Sequence, residues 1–309
     1  MSLFYSQNCE DVLLARCFEG QNEGFYVDVG AEHPIEGSVT KHFYDRGWNG
    51  INIEPVPKFF ELIKQDRPRD INIQCVASDR DHQLLRLHVA EGTGLSSVNP
   101  QYQQNLESQL NTKIQNLEVR SQRLSTILSK HAKQRIDFLK IDVEGHELSV
   151  LHGLDLALHR PRVILIETTL PLIHPGGRID MHERPVEAPD SERINSLVSG
   201  AGYSKVHFDG LNTWWIDQAE IGLARAFTTP PNCFDTVSPM EKYRIIRQLN
   251  EDVQKTTETN QILEQNMHQL QDSLDTLQQQ QTDLLNSTSW KLTAPLRALC
   301  RLTKKYSLR

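Results

Sequence analysis

Short apolar runs that each end in or beside a carboxylate recur through the first half of the chain, and they limit its possible folds more than any other feature. Segments with helical apolar spacing separate the runs, which is typical of a mostly parallel sheet with helices on both faces. The carboxyl ends of parallel strands meet at one sheet edge, where open α/β folds bind ligands. Because charged groups there are costly to desolvate, the acids of these runs predict one shared pocket. They are Asp28, Glu54, Asp142 and Glu167.

The apolar periodicity also predicts where the individual elements lie. The predicted strands are residues 25–29, 50–53, 71–76, 84–89, 137–141, 162–166, 205–208 and 212–216. The predicted helices are residues 38–45, 58–65, 124–132, 148–158 and 191–201. A tight Asp209-Gly210 turn between the last two strands predicts an antiparallel hairpin at the sheet edge. We interpret segment 91–118, which is rich in Gln, Asn and Ser, as an insertion or flexible lid.

Length and composition predict one large domain with an appendage. The predicted parts are a cofactor-binding domain at 1–227, a linker at 228–239, a helix at 240–286 and a tail at 287–309. A net charge of -7 gives no electrostatic reason to expect a nucleic-acid partner. Five scattered cysteines without a CxxC pair favour reduced thiols and a cytoplasmic protein. No run reaches the roughly 20 apolar residues that a membrane span requires.

Residues 246–284 carry a seam of mostly apolar residues at alternating spacings of three and four. This heptad pattern predicts a coiled coil through which the chain self-associates. Asn260 falls at an a position, where paired amides favour a defined dimer register. Several seam positions are polar, so a single solvated helix or a disordered segment is the alternative.

The segment 290–305 is basic and contains no acid. Leu292, Leu296 and Leu299 share one helix face there, with arginines and lysines around it. A basic amphipathic stretch of this kind predicts contact with the inner face of a membrane. An ordinary helix that docks onto a protein of a biosynthetic complex is an equal alternative.

The segment from Val27 to Pro34 determines which ligand the first strand can hold. It lacks the third glycine of a dinucleotide fingerprint, and the sequence has no phosphate-binding G-x-x-x-x-G-K-[ST] loop. Gly30 allows close backbone approach without a pyrophosphate cradle, which favours a smaller, cationic nucleoside. Glu54 follows Gly30 by a little over twenty residues, where an acid accepts hydrogen bonds from ribose hydroxyls.

The cluster from Asp142 to Glu147 offers groups for acid–base chemistry. Asp142 is placed to hold a positively charged ligand, and His146 or Glu144 is a candidate base for a substrate hydroxyl. A divalent ion such as Mg²⁺, held by Asp142, Glu144 and Glu167, is a further possibility, because hard cations prefer carboxylate oxygens. In the structural alternative, Glu144 and Glu147 only cap the following helix.

Three blocks resemble the signature blocks of FkbM-type methyltransferases: residues 25–31, residues 53–55, and Phe138-Leu139-Lys140-Ile141-Asp142-Val143-Glu144-Gly145. Ser6-Gln7-Asn8-Cys9-Glu10-Asp11 resembles the N-terminal block of that family, so the resemblance covers roughly residues 4–217. It implies a class I, doubly wound and mostly parallel α/β fold, S-adenosylmethionine as cofactor, and methyl transfer to oxygen.

The resemblance also implies roles for individual residues. Asp28, Gly30 and Glu54 would line the methionine and ribose end of the cofactor. Ala77 and Ser78 would approach its adenine, and Asp142 would border its sulfonium.

Residues 286–297 resemble a block that follows coiled coils in bacterial enzymes of cell-surface polysaccharides. This second resemblance implies that the acceptor is a sugar hydroxyl of a glycan, glycolipid or nucleotide sugar. Two other classes of function stay open. One is a dinucleotide-dependent sugar oxidoreductase or epimerase, and the other is a non-catalytic cofactor fold that serves as a platform beside a coiled-coil scaffold.

Overall fold

The computed structural model describes residues 2–90, 94–100, 113–169, 187–235 and 237–299. The chain divides into two compact units, residues 1–242 and 243–309. None of the helices in the described ranges is both long and apolar enough to cross a membrane. The finer division at residues 227, 239 and 286 stays a prediction.

All the strands of the described residues lie in the first unit. They are β1 Ser2–Phe4, β2 Phe25–Val29, β3 Asn49–Ile53, β4 Ile71–Ile73, β5 Val76–Ser78, β6 Leu84–Ala90, β7 Ser96–Ser97, β8 Ile114–Arg123, β9 Phe138–Ile141, β10 Val163–Glu167, β11 Tyr203–Phe208, β12 Asn212–Asp217 and β13 Val237–Pro239. The α-helices in the described ranges are α1 Glu10–Cys17, α2 Lys41–Asp45, α3 Pro57–Asp66, α4 Leu124–His131, α5 Glu147–His152, α6 Ser191–Gly200, α7 Met240–Asn286 and α8 Thr288–Leu292. Two 3₁₀ helices lie at Gln218–Phe227 and Cys233–Asp235.

The main sheet has seven strands in the order β11-β12-β10-β9-β2-β3-β4. The run from β10 to β4 is parallel, and β12 and β11 add an antiparallel hairpin at one edge. The predicted mostly parallel, doubly wound sheet with its edge hairpin is therefore confirmed. The strand order reverses between β2 and β9, which is the point where open α/β sheets bind ligands.

A second sheet, in the order β5-β8-β6-β7, corrects two expectations. The predicted strand at 71–76 is two strands, and β5 leaves the main sheet to pair with β8. The C-terminal part of segment 91–118 is strand rather than a flexible lid, because β8 begins at Ile114 and pairs with β6 from Ile114 to Arg120. Residues 91–93 and 101–112 of that segment lie outside the described residues.

Side-chain alternation along the strands divides the core into two clusters on opposite sheet faces. Leu139 and Ile141 of β9 pack in one cluster, and Phe138 packs in the other. The pleat places Lys140 on the same face as Phe138, and register pairs Lys140 with Asp28 of β2. Two ionisable side chains therefore lie side by side within the apolar sheet.

The second unit contains nearly all of α7, which has 47 residues. This helix is the one predicted, but a second helix paired with it in a coiled coil stays a prediction. Its predicted seam is exposed, since every seam residue from Leu263 to Leu277 is at least half accessible to solvent. An exposed apolar seam at heptad spacing favours a partner helix. Self-association stays a prediction.

Substituting Leu263 and Leu270 together by lysine is expected to lower the oligomeric state of the full chain, because both changes place charge in the seam. Light scattering on the purified protein measures this mass. Ile262→Lys is the matched control, since Ile262 is as exposed as Leu263 (58% and 55%) but lies off the seam. A mass unchanged by the double substitution would contradict the coiled coil.

The described part of the predicted basic tail is helical over Thr288–Leu292 and again over residues 294–299. Ser287 caps α8 by accepting a hydrogen bond from the Trp290 backbone N–H at 3.2 Å. The Arg297 guanidinium stacks on the Trp290 ring, 3.7 Å from its centroid. Residues 300–305 lie outside the described residues, and contact of this tail with a membrane or a protein stays a prediction.

Candidate active site

A cavity opens over the carboxyl ends of β3, β2, β9 and β10, the four strands whose acids predicted it. The structure brings most of the predicted site residues to its wall, namely Gly30, Glu54, Ala77, Asp142, Glu144, His146 and Glu167. Another side of the cavity is closed by Leu87 of β6 and by residues in and around β7. The latter are Gly94, Leu95, Ser96 and Val98. Asp28 and Ser78 are not among the lining residues.

Gly30 stands where the loop after β2 meets the loop after β9. Its φ is +79°, and a Cβ atom added there would collide with the backbone carbonyl of Asp142. The Gly30 N–H donates to the Ile53 carbonyl at 3.0 Å, and the Asp142 N–H donates to the Val29 carbonyl at 3.0 Å. Only glycine fits this backbone packing. Because Gly30 has no side chain, the space above the strand ends is open to a ligand.

Glu54 directly follows β3 and is almost fully buried. One carboxylate oxygen accepts the Val56 N–H at 2.7 Å, and the other accepts the Glu32 N–H at 2.9 Å. Burial raises the pKa of Glu54 to about 7, although these two N–H groups oppose the shift. A carboxylate has about four acceptor positions, so Glu54 is held rigidly and still has capacity for ligand hydroxyls.

Asp28 lies behind the cavity wall rather than in it, because its position in β2 faces Lys140. Lys140 Nζ lies 3.4 Å from Asp28 Oδ1 and 3.2 Å from Asp142 Oδ2, and it donates to the Gly30 carbonyl at 3.0 Å. Burial acts to lower the pKa of Lys140, but the carboxylates of Asp142 and Asp28 outweigh it and the pKa is raised. Asp28 therefore positions Lys140, and Lys140 in turn positions Asp142 and Gly30.

Three carboxylates converge at the β9 and β10 end of the cavity. One oxygen each of Asp142, Glu144 and Glu167 lies within 4.8 Å of the other two. Burial, followed by the negative charges of Asp142 and Glu144, raises the pKa of Glu167 well above its usual range. The cluster therefore favours a cation or a shared proton.

The turn after Asp142 holds Glu144 in an unusual backbone conformation, with φ +56° followed by +89° at Gly145. Ser97 Oγ donates to the Glu144 carbonyl at 2.6 Å, and the Asn99 side chain donates to the Gly145 carbonyl at 3.2 Å. From the other side, Glu147 accepts two backbone N–H groups of the turn at about 3 Å. The helix-capping alternative therefore describes Glu147, whereas Glu144 lines the cavity.

His146 lines the cavity and is supported from behind by Ser78. Ser78 Oγ lies 3.1 Å from His146 Nε2 and donates to Asp79 at 3.2 Å. Because the Ser78 hydroxyl donates to Asp79, its oxygen accepts the His146 Nε2–H, and Nδ1 is then the unprotonated nitrogen. Burial lowers the pKa of His146, with the charge of Asp79 acting in the opposite direction. Burial therefore favours the neutral form of the His146 imidazole.

The cavity wall is rich in carboxyl groups. Its described wall contains five carboxylates and no lysine or arginine, the acids being Glu32, Glu54, Asp142, Glu144 and Glu167. Such a wall attracts a cation and repels a pyrophosphate. A dinucleotide is thus a poor fit to the described wall, and a cationic nucleoside is a good one.

Sequence reasoning missed three features of this site. Lys140 was given no role, although a lysine inside an apolar strand run must be paired, and that was the available signal. Glu32 and Gln7 also line the cavity. Gln7 belongs to the N-terminal block that carried the family resemblance, but its single exposed amide gave no chemical signal.

Glu147→Gln is expected to leave the free energy of unfolding near the wild-type value at about pH 5 and to raise it at about pH 8. Burial raises the pKa of Glu147 from 4.5 to about 7, so ionisation opposes folding as the pH passes through that window. Glutamine mimics the protonated form, and its oxygen keeps both hydrogen bonds to the turn. The expected gain at high pH is about 1–3 kcal/mol.

Urea titrations at both pH values measure the free energy of unfolding of the variant and of the wild type. Histidines whose pKa is lowered change this free energy with pH in the opposite direction, and their contribution cancels in the difference between the two proteins. An equal effect of Glu147→Gln at the two pH values would contradict the assignment of a raised pKa.

Comparison with known proteins shows the family of this chain. The Methyltransferase FkbM domain matches residues 28–204, more than half of the chain. The protein belongs to this family. It is an S-adenosylmethionine-dependent methyltransferase, and the class I fold that the resemblance implied is the one observed. No curated protein sequence matches the chain.

Solved methyltransferase structures are similar only at a distance. A TehB-like SAM-dependent methyltransferase from Corynebacterium glutamicum is 10% identical with a TM-score of 0.34, covering 67% of this chain and 87% of its own. Aeropyrum pernix fibrillarin, with natively bound S-adenosyl-L-methionine, is 12% identical with a TM-score of 0.37 and coverages of 68% and 74%. An O-methyltransferase from Bacillus cereus in complex with SAH is 14% identical with a TM-score of 0.33 and coverages of 69% and 82%. Similarity this low gives no guide to the acceptor.

Proposed function

We propose that this methyltransferase O-methylates a hydroxyl of a sugar in a cell-surface glycan, a glycolipid or a nucleotide sugar. The observation that carries the proposal is that His146, whose neutral form is favoured by burial, lines one cavity with the carboxyl groups of Glu144 and Glu167. A hydroxyl needs a base to become a competent nucleophile, and this end of the cavity supplies one.

The opposite end of the cavity fits the cofactor. Because Gly30 has no side chain, the cofactor can approach the backbone closely there. The rigid Glu54 carboxylate accepts hydrogen bonds from the ribose hydroxyls. Ala77 borders the adenine, and Asp142 offers its negative charge to a cationic group. When bound, S-adenosylmethionine supplies a methyl group made electrophilic by its sulfonium. The described residues hold it and exclude water.

His146 is the proposed general base. Ser78 and Asp79 fix the ring so that the nitrogen not used by Ser78 accepts the hydroxyl proton. Glu144 orients the acceptor or replaces His146 in this role. Substituting His146 by alanine should therefore lower methyl transfer while leaving cofactor affinity unchanged.

Asp142, Glu144 and Glu167 also fit Mg²⁺, because three carboxylate oxygens within 4.8 Å are a hard-cation donor set. The cation would lower the pKa of an acceptor hydroxyl by withdrawing charge. Activity that falls with EDTA and returns with Mg²⁺ supports this assignment, and activity indifferent to EDTA contradicts it.

The test of the proposed function is incubation of the protein with methyl-labelled S-adenosylmethionine and fractionated cell-surface glycans. We expect the label to enter a carbohydrate fraction as a base-stable methyl ether. Label in no fraction, despite cofactor binding, would favour the non-catalytic platform. Binding of NAD⁺ in place of S-adenosylmethionine would favour the oxidoreductase or epimerase.

A further inference from the structure

We propose that the N-terminal loop, residues 5–11, recognises the acceptor, and that Gln7 binds hydroxyls of a neutral, polyhydroxylated group. This inference rests on the proposed function and narrows its acceptor class. This N-terminal loop includes Glu10 and Asp11, the first two residues of α1.

Buried acids hold the N-terminal loop in place. The Asp11 carboxylate accepts the Tyr5 N–H at 2.6 Å, the Ser6 N–H at 3.1 Å and the Ser6 hydroxyl at 2.6 Å. Glu10 accepts the Asn8 N–H at 2.9 Å, and the backbone at Cys9 turns through a left-handed φ of +61°. The loop is therefore rigid before any ligand binds, which reduces the entropic cost of recognition.

The same loop is attached to the acceptor side of the sheet. Glu10 also accepts a hydrogen bond from the Asn212 side chain at 3.1 Å, and the Asn8 side chain donates to the Asp209 carbonyl at 3.4 Å. Asn212 of β12 pairs in register with Glu167 of β10. The Asn8–Glu10 part of the loop thus lies beside the strand that carries Glu167, whereas Ser6 forms a β-bridge with Gly37 in the segment after β2.

Gln7 differs from its neighbours in the N-terminal loop. Its side chain is exposed and lines the cavity. Among the described residues it takes part in none of the hydrogen bonds that hold the loop. A carboxamide has two donor positions and one acceptor oxygen, which match the mixed donor and acceptor character of adjacent sugar hydroxyls.

The chemistry around Gln7 selects a neutral group. Carboxyl groups of the described wall accept hydrogen bonds from hydroxyls, and their ionised forms repel the doubly charged diphosphate of a nucleotide sugar. The structure therefore assigns the cavity to a neutral glycosyl group, and the diphosphate of a nucleotide sugar does not fit it.

The experiment compares full-length wild type, Gln7→Ala and Gln7→Glu with methyl-labelled S-adenosylmethionine and two probes. One probe is a neutral glycan fraction freed of phosphate, and the other is a nucleotide-sugar fraction. Gln83→Ala is the matched control, since Gln83 is exposed and does not line the cavity. Calorimetry measures the affinity of each protein for S-adenosylmethionine.

We expect wild type to label the neutral fraction. Gln7→Ala should raise the half-saturating glycan concentration by about tenfold or more, while the cofactor Kd changes by less than about twofold. Unchanged glycan saturation in Gln7→Ala, or label entering only the nucleotide-sugar fraction, overturns this inference and leaves the proposed function intact. If wild type labels neither fraction, the proposed function fails and this inference fails with it.

Discussion

Replacing Lys140 by methionine is expected to destabilise the protein by about 3–5 kcal/mol, because removing one partner of a buried ion pair leaves the other charges uncompensated. Lys140 is buried, lies within 3.4 Å of Asp28 and within 3.2 Å of Asp142, and also donates to the Gly30 carbonyl. Methionine keeps the length of the side chain but supplies neither charge nor donor. The loss is large because a domain is stable by only about 5–15 kcal/mol in total.

Chemical denaturation measures this loss, and Lys41→Met is the control. Lys41 also contacts two carboxylates, Asp45 at 3.0 Å and Asp66 at 2.9 Å, but these acids are 41% and 27% exposed. Solvent screening should limit the cost of Lys41→Met to about 1 kcal/mol. A free energy of unfolding for Lys140→Met within about 1 kcal/mol of wild type would contradict the role assigned to Lys140.

Glu54→Ala is expected to weaken S-adenosylmethionine binding by about tenfold or more, since it removes the carboxylate that fits the ribose hydroxyls. The substitution also leaves the N–H groups of Val56 and Glu32 without their acceptor, so a folded protein must be verified by its thermal transition. Glu54→Gln preserves one acceptor oxygen and the side-chain volume, and it should give an intermediate loss.

Calorimetry with S-adenosylmethionine measures these affinities, with Glu61→Ala as the control on the exposed side of α3. Glu54 titrates near pH 7, so wild-type affinity should rise with pH through that value. Glu54→Gln should lack this rise. Unaltered affinity in a folded Glu54→Ala protein would remove Glu54 from the cofactor site.

The strands of the main sheet and the position of the cavity follow from the sequence because apolar runs with terminal acids have few structural solutions. The bounds of β2 at Phe25–Val29 agree with the prediction to the residue. Helix α1 was missed because its buried face includes Glu10 and Asp11, which a hydrophobic pattern counts as solvent-facing. Strand β8 was missed because most of its side chains are exposed or half-buried and polar.

Side-chain roles within the site were harder to predict than its location. Asp28 ends no strand, since Val29 follows it in β2, and the pleat directs it to Lys140. Sequence alone does not reveal which of two acids near a strand end faces the ligand and which neutralises a buried cation. The cluster of Asp142, Glu144 and Glu167 was predictable, because all three follow or end adjacent parallel strands.

The central claim is that a cavity rich in carboxyl groups, at the ends of four adjacent strands, holds a cationic nucleoside. Calorimetry of the wild-type protein with S-adenosylmethionine and, separately, with NAD⁺ tests it most directly. We expect the wild-type protein to bind S-adenosylmethionine saturably and not to bind NAD⁺. Saturable binding of NAD⁺ with none of S-adenosylmethionine would contradict it.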